Sequence, residues 1–188
     1  MHRFVPAALV AALAVVWPLT TTPAASPQAQ QTLRTPDVIF VPTRDAVVEA
    51  MLNMANVTKN DVVYDLGSGD GKIVIAAAKR GARAVGVDID PVRIKEANAN
   101  AQAAGVTDKV TFINGDIFDP ALKINEASVV TLYLLPALNL KLRPRLWAEL
   151  KPGTRVVSNS FDMGQDWPAE KTETVENFTI YFWTIKPR

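Results

Sequence analysis

Cysteine is absent from this chain, and its one histidine is His2, inside an N-terminal segment that reads as removable. These two shortages exclude thiolate nucleophiles, Cys or His metal sites and Ser-His-Asp hydrolysis for the body of the chain. An excess of one charge is also missing. There are 20 Lys and Arg against 19 Asp and Glu, a net charge of +1, and loss of Arg3 with a cleaved leader would bring it to zero. A nucleic-acid binder normally carries a basic face, so the composition argues against that partner. Lys141, Arg143, Arg145, Lys151 and Arg155 gather near the expected substrate side and read first as a solvated helix surface. No internal repeat stands out, and 188 residues allow one domain with an adequate core. What remains is chemistry brought by a bound cofactor, with carboxylates, Tyr133, Asn159 and backbone groups shaping the site.

The one long hydrophobic run, residues 4–19, follows His2 and Arg3 and precedes small residues at Ala24, Ala25 and Ser26. Residues 1–25 therefore read as a secretory signal peptide, too short and too proline-interrupted (Pro6, Pro18) for an ordinary membrane span. An uncleaved membrane anchor and a cytosolic product with a misassigned start stay open beside it. Residues 26–36 continue a Thr, Pro, Ala, Ser and Gln tract that reads as a flexible spacer, and residues 37–188 form the folded domain.

Within that domain, Val62-Val63-Tyr64-Asp65-Leu66-Gly67-Ser68-Gly69-Asp70-Gly71-Lys72 reads as a buried strand, a glycine turn and a helix start in direct succession. Glycines at alternate positions let the backbone turn tightly and approach a ligand with no Cβ in the way. A pyrophosphate wants backbone N–H groups and the positive helix end at its anion, so Asp65 and Asp70 on either side of the turn oppose a dinucleotide. The spacing also departs from Gly-x-Gly-x-x-Gly. S-adenosylmethionine (SAM) carries an ammonium and a sulfonium in place of phosphates, and both suit an acid-lined turn. Asp88 closes the second strand about twenty residues past the glycines, placed to accept hydrogen bonds from two ribose hydroxyls.

The pattern predicts α/β structure throughout. A helix is expected over 43–55 with Thr43 as N-cap, and another over 71–80. A third begins at Pro91 behind an Asp90 N-cap, packing Val92, Ile94, Ala97, Ala101 and Ala104. Strands are expected over 109–114, 128–134 and 155–160, with a link over 119–127 too short for a full crossover helix. Residues 136–150 read as a helix interrupted or bent near Pro144, and 172–185 alternate as a terminal β-hairpin.

The block Asp65-Leu66-Gly67-Ser68-Gly69-Asp70-Gly71 resembles the first motif of class I, seven-strand SAM-dependent methyltransferases. The entry segment Phe40-Val41-Pro42-Thr43-Arg44, together with Ile73-Val74-Ile75-Ala76-Ala77-Ala78 after the turn, is similar to a narrower group. That group holds the mitochondrial lysine methyltransferases of the ATP synthase c subunit and their small bacterial relatives. The resemblance implies a Rossmann-like, mostly parallel seven-stranded sheet of order 3-2-1-4-5-7-6, with a C-terminal antiparallel hairpin. It implies SAM as cofactor, with Asp65, Gly67, Ser68, Gly69 and Asp70 around the methionine end and Thr43 closing that side. Asp88 and Ile89 would meet the ribose, and Asp116 and Ile117 the adenine.

The activity implied is N-methylation of a protein lysine or other amine. A small-molecule O- or N-methyltransferase and a non-catalytic SAM-binding module stay open. No Asn/Asp-Pro-Pro-Tyr motif follows the fourth strand, where Tyr133-Leu134-Leu135-Pro136 stands, which counts against nucleobase and glutamine amide methylation. Tyr133, Pro136, Asn139 and Asn159-Ser160-Phe161 are candidates for the acceptor pocket, with half-buried sheet and turn roles as the alternatives. An acceptor embedded in or beside a membrane would suit an anchored N-terminus. The acceptor's identity and the oligomeric state have no signature in the sequence.

Overall fold

A computed structural model describes residues 1–2, 35 and 39–187. The expected leader and spacer, residues 1–36, lie outside the described residues apart from Met1, His2 and Thr35. Among the described residues no helix is long and apolar enough to cross a membrane.

Seven strands form one sheet: β1 (Val62–Leu66), β2 (Arg83–Asp88), β3 (Val110–Asn114), β4 (Val129–Leu132), β5 (Arg155–Asn159), β6 (Lys171–Val175) and β7 (Phe178–Thr184). Their order is β3-β2-β1-β4-β5-β7-β6, as the resemblance implied. The first five pair in parallel, whereas β7 runs antiparallel to both β5 and β6. The central strands are covered on both faces, which is why they read as continuous apolar runs. The β6–β7 turn places Glu176 and Asn177 at φ 49° and 68°, the left-handed pair that a two-residue hairpin demands.

Helices α1 (Asp45–Met54), α2 (Lys72–Lys79) and α3 (Pro91–Ala103) cover one face. Val47, Met51 and Leu52 of α1 meet Val74 and Ala77 of α2 over Val63, Val129 and Val157 of the sheet. Helix α4 (Pro136–Glu149) and the 117–127 link cover the other face, where Leu142 and Leu146 pack on Leu132, Val156 and Trp183. The link contains turns and no helix, consistent with its length.

Some boundaries differ from expectation for local reasons. Helix α1 starts later, with Arg44 as its cap residue and no side-chain cap, because Thr43 is turned inward and only 8% exposed. Asp90 does cap α3, accepting from Val92 N at 2.8 Å, but Val92 faces solvent at 59% exposure. The buried stripe of α3 is narrower than the apolar count suggested, carried by Ala97 and Ala101. Pro144 lies inside a helix that runs unbroken to Glu149.

Candidate functional site

Strand order reverses direction beside β1, and the carboxyl ends of β1, β2 and β3 open there onto a cleft of about 280 Å³. Each strand contributes an acid, at its end or through the loop that leaves it.

From β1, Asp65 is 2% exposed, and its Oδ1 accepts from Thr131 Oγ1 of β4 at 2.7 Å. Burial pushes its carboxyl up to about 7, the nearby charges of Asp88 and Asp70 add to that, and the Thr131 bond opposes it. The turn that follows is tied to β2. Gly67 N and Ser68 N both donate to Val87 O, at 2.8 and 3.0 Å. Gly69 adopts φ +50° and gives its N–H to Asp88 Oδ2 at 2.8 Å, while the ring of Phe40 occupies the space a Cβ at Gly69 would need. Among the described residues, Ser68 Oγ is buried with no hydrogen-bond partner. Asp70 accepts from Lys72 N at 3.2 Å and also borders the cleft.

From β2, the carboxylate of Asp88 is held at both oxygens, Oδ2 by Gly69 N and Oδ1 by Asp90 N at 2.9 Å. Each oxygen keeps a second lone pair, so the fixed carboxylate can still accept from two hydroxyls. Asn114 Nδ2 donates to the carbonyls of Asp88 and Ile89 at 3.1 and 3.0 Å, clamping the next loop to β3. From β3, Gly115, Asp116 and Ile117 complete that end of the cleft, and Asp116 Oδ1 accepts from Phe118 N at 2.8 Å. Thr43 reaches the cleft from the other side, just ahead of α1.

All the expected cofactor residues except Gly69 line the cleft, and Gly69 acts one bond away by orienting Asp88. Of the acceptor candidates, Tyr133 lines it. Pro136 is exposed at the first turn of α4 and does not. Asn139 is fully buried, its amide donating to Ser158 Oγ and to the carbonyls of Phe161 and Asp162 at 3.1–3.3 Å. Asn159 is 1% exposed and accepts from Ser160 Oγ at 3.0 Å. Neither asparagine is on the cleft wall.

Four of the five basic residues expected near the substrate side are engaged in structural contacts, and the fifth, Lys151, is exposed. Arg143 bonds Met163 O and Asp166. Arg145 pairs with Glu149 and caps carbonyls of the 117–127 link, and Arg155 pairs with Asp61 at the opposite end of the sheet. Lys141 sits 3.9 Å from the Phe118 ring centroid.

The sequence reading missed Phe40, Arg93 and Thr131 as site residues. Arg93 Cζ lies 4.9 Å from the Phe40 ring centroid, so the two cap the turn together. Thr131 left a signal: it is the one hydroxyl within the apolar strand β4, and it falls in register with Asp65.

This donor set fits SAM. It offers a buried carboxylate for a cation, a doubly anchored carboxylate for vicinal hydroxyls, an unpaired hydroxyl and a turn with glycine at alternate positions. A polyphosphate would meet three acids at short range.

The comparisons with known proteins agree. A family model described as the ANTKMT methyltransferase domain matches residues 65–171. The protein-lysine N-methyltransferase of Saccharolobus islandicus is 46% identical over 156 residues, covering 80% of this chain and 95% of that protein. The human lysine N-methyltransferase of the ATP synthase c subunit is 33% identical over 81% of this chain, which spans 60% of that longer protein. A crystal structure described as an RNA methyltransferase from Salinibacter ruber, in complex with S-adenosyl-L-homocysteine, superposes with a TM-score of 0.76. It is 54% identical, covering 79% of this chain and 95% of that one.

Proposed function

This chain belongs to the ANTKMT methyltransferase domain family and is a SAM-dependent methyltransferase, and from that premise we propose that its acceptor is a lysine side chain of a protein. The observation that carries the acceptor class is the 46% identity to the Saccharolobus protein-lysine N-methyltransferase, which this chain matches over 95% of that protein's length.

In this reading Asp65, the turn 67–70 and Thr43 hold the methionine end, Asp88 and Ile89 the ribose, and Asp116 and Ile117 the adenine. The support is that these residues converge on one cleft with their carboxylates oriented by the bonds described above. When bound, SAM supplies an activated methyl: the amine lone pair forms the N–C bond, the C–S pair stays on sulfur, and the surplus amine proton leaves to solvent. The chain's part is to align and desolvate the amine. A lysine must be neutral to attack, and the apolar lining supplied by Leu134 and Leu138 disfavours its ammonium form without a histidine base.

A second reading, an RNA acceptor, has one observation in its favour, the description of the 54%-identical Salinibacter structure. Against it, Arg143, Arg145 and Arg155 are committed to contacts within the fold. Incubating the full chain with methyl-labelled SAM and separated protein and RNA fractions decides between them. Label recovered as methyl-lysine after acid hydrolysis of protein is the expected result, and label confined to RNA would overturn it.

A further inference from the structure

We infer that Phe161 and Tyr133 together form an aromatic wall of the acceptor channel, contacting the methylene stem of the substrate lysine and the methylated ammonium of the product. This rests on the lysine reading above and adds a specificity-determining residue to it. Strands β4 and β5 are adjacent and parallel, with Leu132 opposite Ser158, so the segments leaving their carboxyl ends emerge side by side. Tyr133 emerges from β4 onto the cofactor cleft. Phe161 emerges from β5, partly buried, with its ring stacked on Tyr133 at 6.4 Å between centroids and 21° between planes. In the strand order Phe161 lies on the far side of Tyr133 from β1, away from the cofactor turn and on the side left for an incoming substrate.

The loop carrying Phe161 is fixed with unusual thoroughness for a surface connection. Ser160 is held at φ +67°, a left-handed conformation uncommon for serine, and Phe161 N closes a three-residue turn on Asn159 O at 2.9 Å. Such a turn persists only where its surroundings impose it. Ser160 N donates to Thr179 O at 2.7 Å, and the buried amide of Asn139 donates to the carbonyls of both Phe161 and Asp162. Further along, Arg143 Nη1 donates to Met163 O at 2.7 Å, and Trp183 Nε1 to Trp167 O at 2.8 Å. The net effect of these ties is to place one aromatic ring against the ring that borders the cleft.

Such a wall suits a lysine at both stages of transfer. Ring faces accept the methylene stem and offer no strong hydrogen bond to a neutral amine, and they attract the methylated ammonium by cation–π interaction.

The test uses n-butyltrimethylammonium as a probe, titrated into the full chain saturated with S-adenosyl-L-homocysteine and followed by aromatic NMR resonances. The Tyr133 and Phe161 rings should shift together in the wild type. Phe161→Leu should weaken the probe at least fivefold, Phe161→Tyr should restore it, and both variants should keep wild-type affinity for S-adenosyl-L-homocysteine. Unperturbed rings in the wild type, or equal probe binding by folded Phe161→Leu, would overturn the wall, even with methyl-lysine formation intact. Failure of the lysine reading shows separately, as label in RNA alone.

Discussion

Thr131 and Asp65 stand opposite each other on the two central strands, and the threonine hydroxyl donates to the buried carboxylate at 2.7 Å. This single bond opposes a pKa that burial, with two neighbouring aspartates, drives up to about 7. Asp65 therefore changes charge near neutral pH, at the position proposed for the cofactor's ammonium.

The first prediction follows from that titration. A carboxyl raised in the folded state holds a proton that the unfolded chain has already released, so its contribution to stability falls as pH rises from about 4 to about 7. Binding a cation there requires the ionised form. SAM affinity should weaken as pH falls below about 7, approaching tenfold per unit, with proton release on binding. Thr131→Val should move the midpoint to higher pH and Thr131→Ser should not. Calorimetry in buffers of different ionisation enthalpy measures both, and a pH-independent affinity would contradict the role given to Asp65.

Asp88 supports a second prediction. Its oxygens orient Gly69 and Asp90 and keep lone pairs for two hydroxyls, so Asp88→Ala removes ligand contacts and loosens the turn together. We expect SAM binding to weaken by about 1.5–3 kcal/mol, the scale of charge-assisted hydrogen bonds. An unchanged dissociation constant in the folded variant would place the ribose elsewhere.

The residues that gather on the cleft at the ends of β1, β2 and β3 were legible because their signals are local. The acids follow strand ends, and the glycines occupy alternate turn positions that adopt φ of +91°, +50° and +80° at Gly67, Gly69 and Gly71. The sheet order became readable through the resemblance and the apolar runs of β1 and β4. What stayed hidden depends on contacts between distant segments. Asn139 looked like a pocket residue, yet its amide is consumed by a loop about twenty residues away. Phe40 and Arg93 meet over the turn only after α3 packs, and neither carries a spacing that betrays it. The late run of basic residues looked like one surface, and folding sends its members to opposite ends of the sheet.

Gly71 offers a stability test at the end of the cofactor turn, where it is not itself on the cleft wall. A Cβ there would lie 2.7 Å from the Phe112 ring and 2.9 Å from Ala97 Cβ, in a backbone already at φ +80°. Gly71→Ala combines overpacking with left-handed strain, and we expect about 2–4 kcal/mol of destabilisation by denaturant titration. Gly105, at φ +67° with open space around it, carries only the backbone part of that cost. Gly105→Ala should therefore lose distinctly less, and equal losses would mean that packing beneath the turn is slack.

The last prediction concerns the end of the sheet opposite the cleft. Asp61 is 7% exposed, and burial alone would raise its pKa. It is nonetheless lowered, because Ser128 Oγ, Thr58 N and the Arg155 guanidinium all favour the carboxylate. A lowered carboxyl contributes stability above its unfolded pKa and loses it as pH falls through the folded value, so this contribution should begin to decline near pH 4 and fall further on acidification. Arg155 also donates to Ala55 O at 2.6 Å, tying the end of α1 to β5. Arg155→Met strands the buried charge and frees that carbonyl, and should cost about 3–5 kcal/mol at neutral pH. Because Asp61 would take up a proton more readily in this variant, the deficit should shrink on acidification. A deficit independent of pH would show that Arg155 acts through the carbonyl of Ala55 and not through the charge on Asp61.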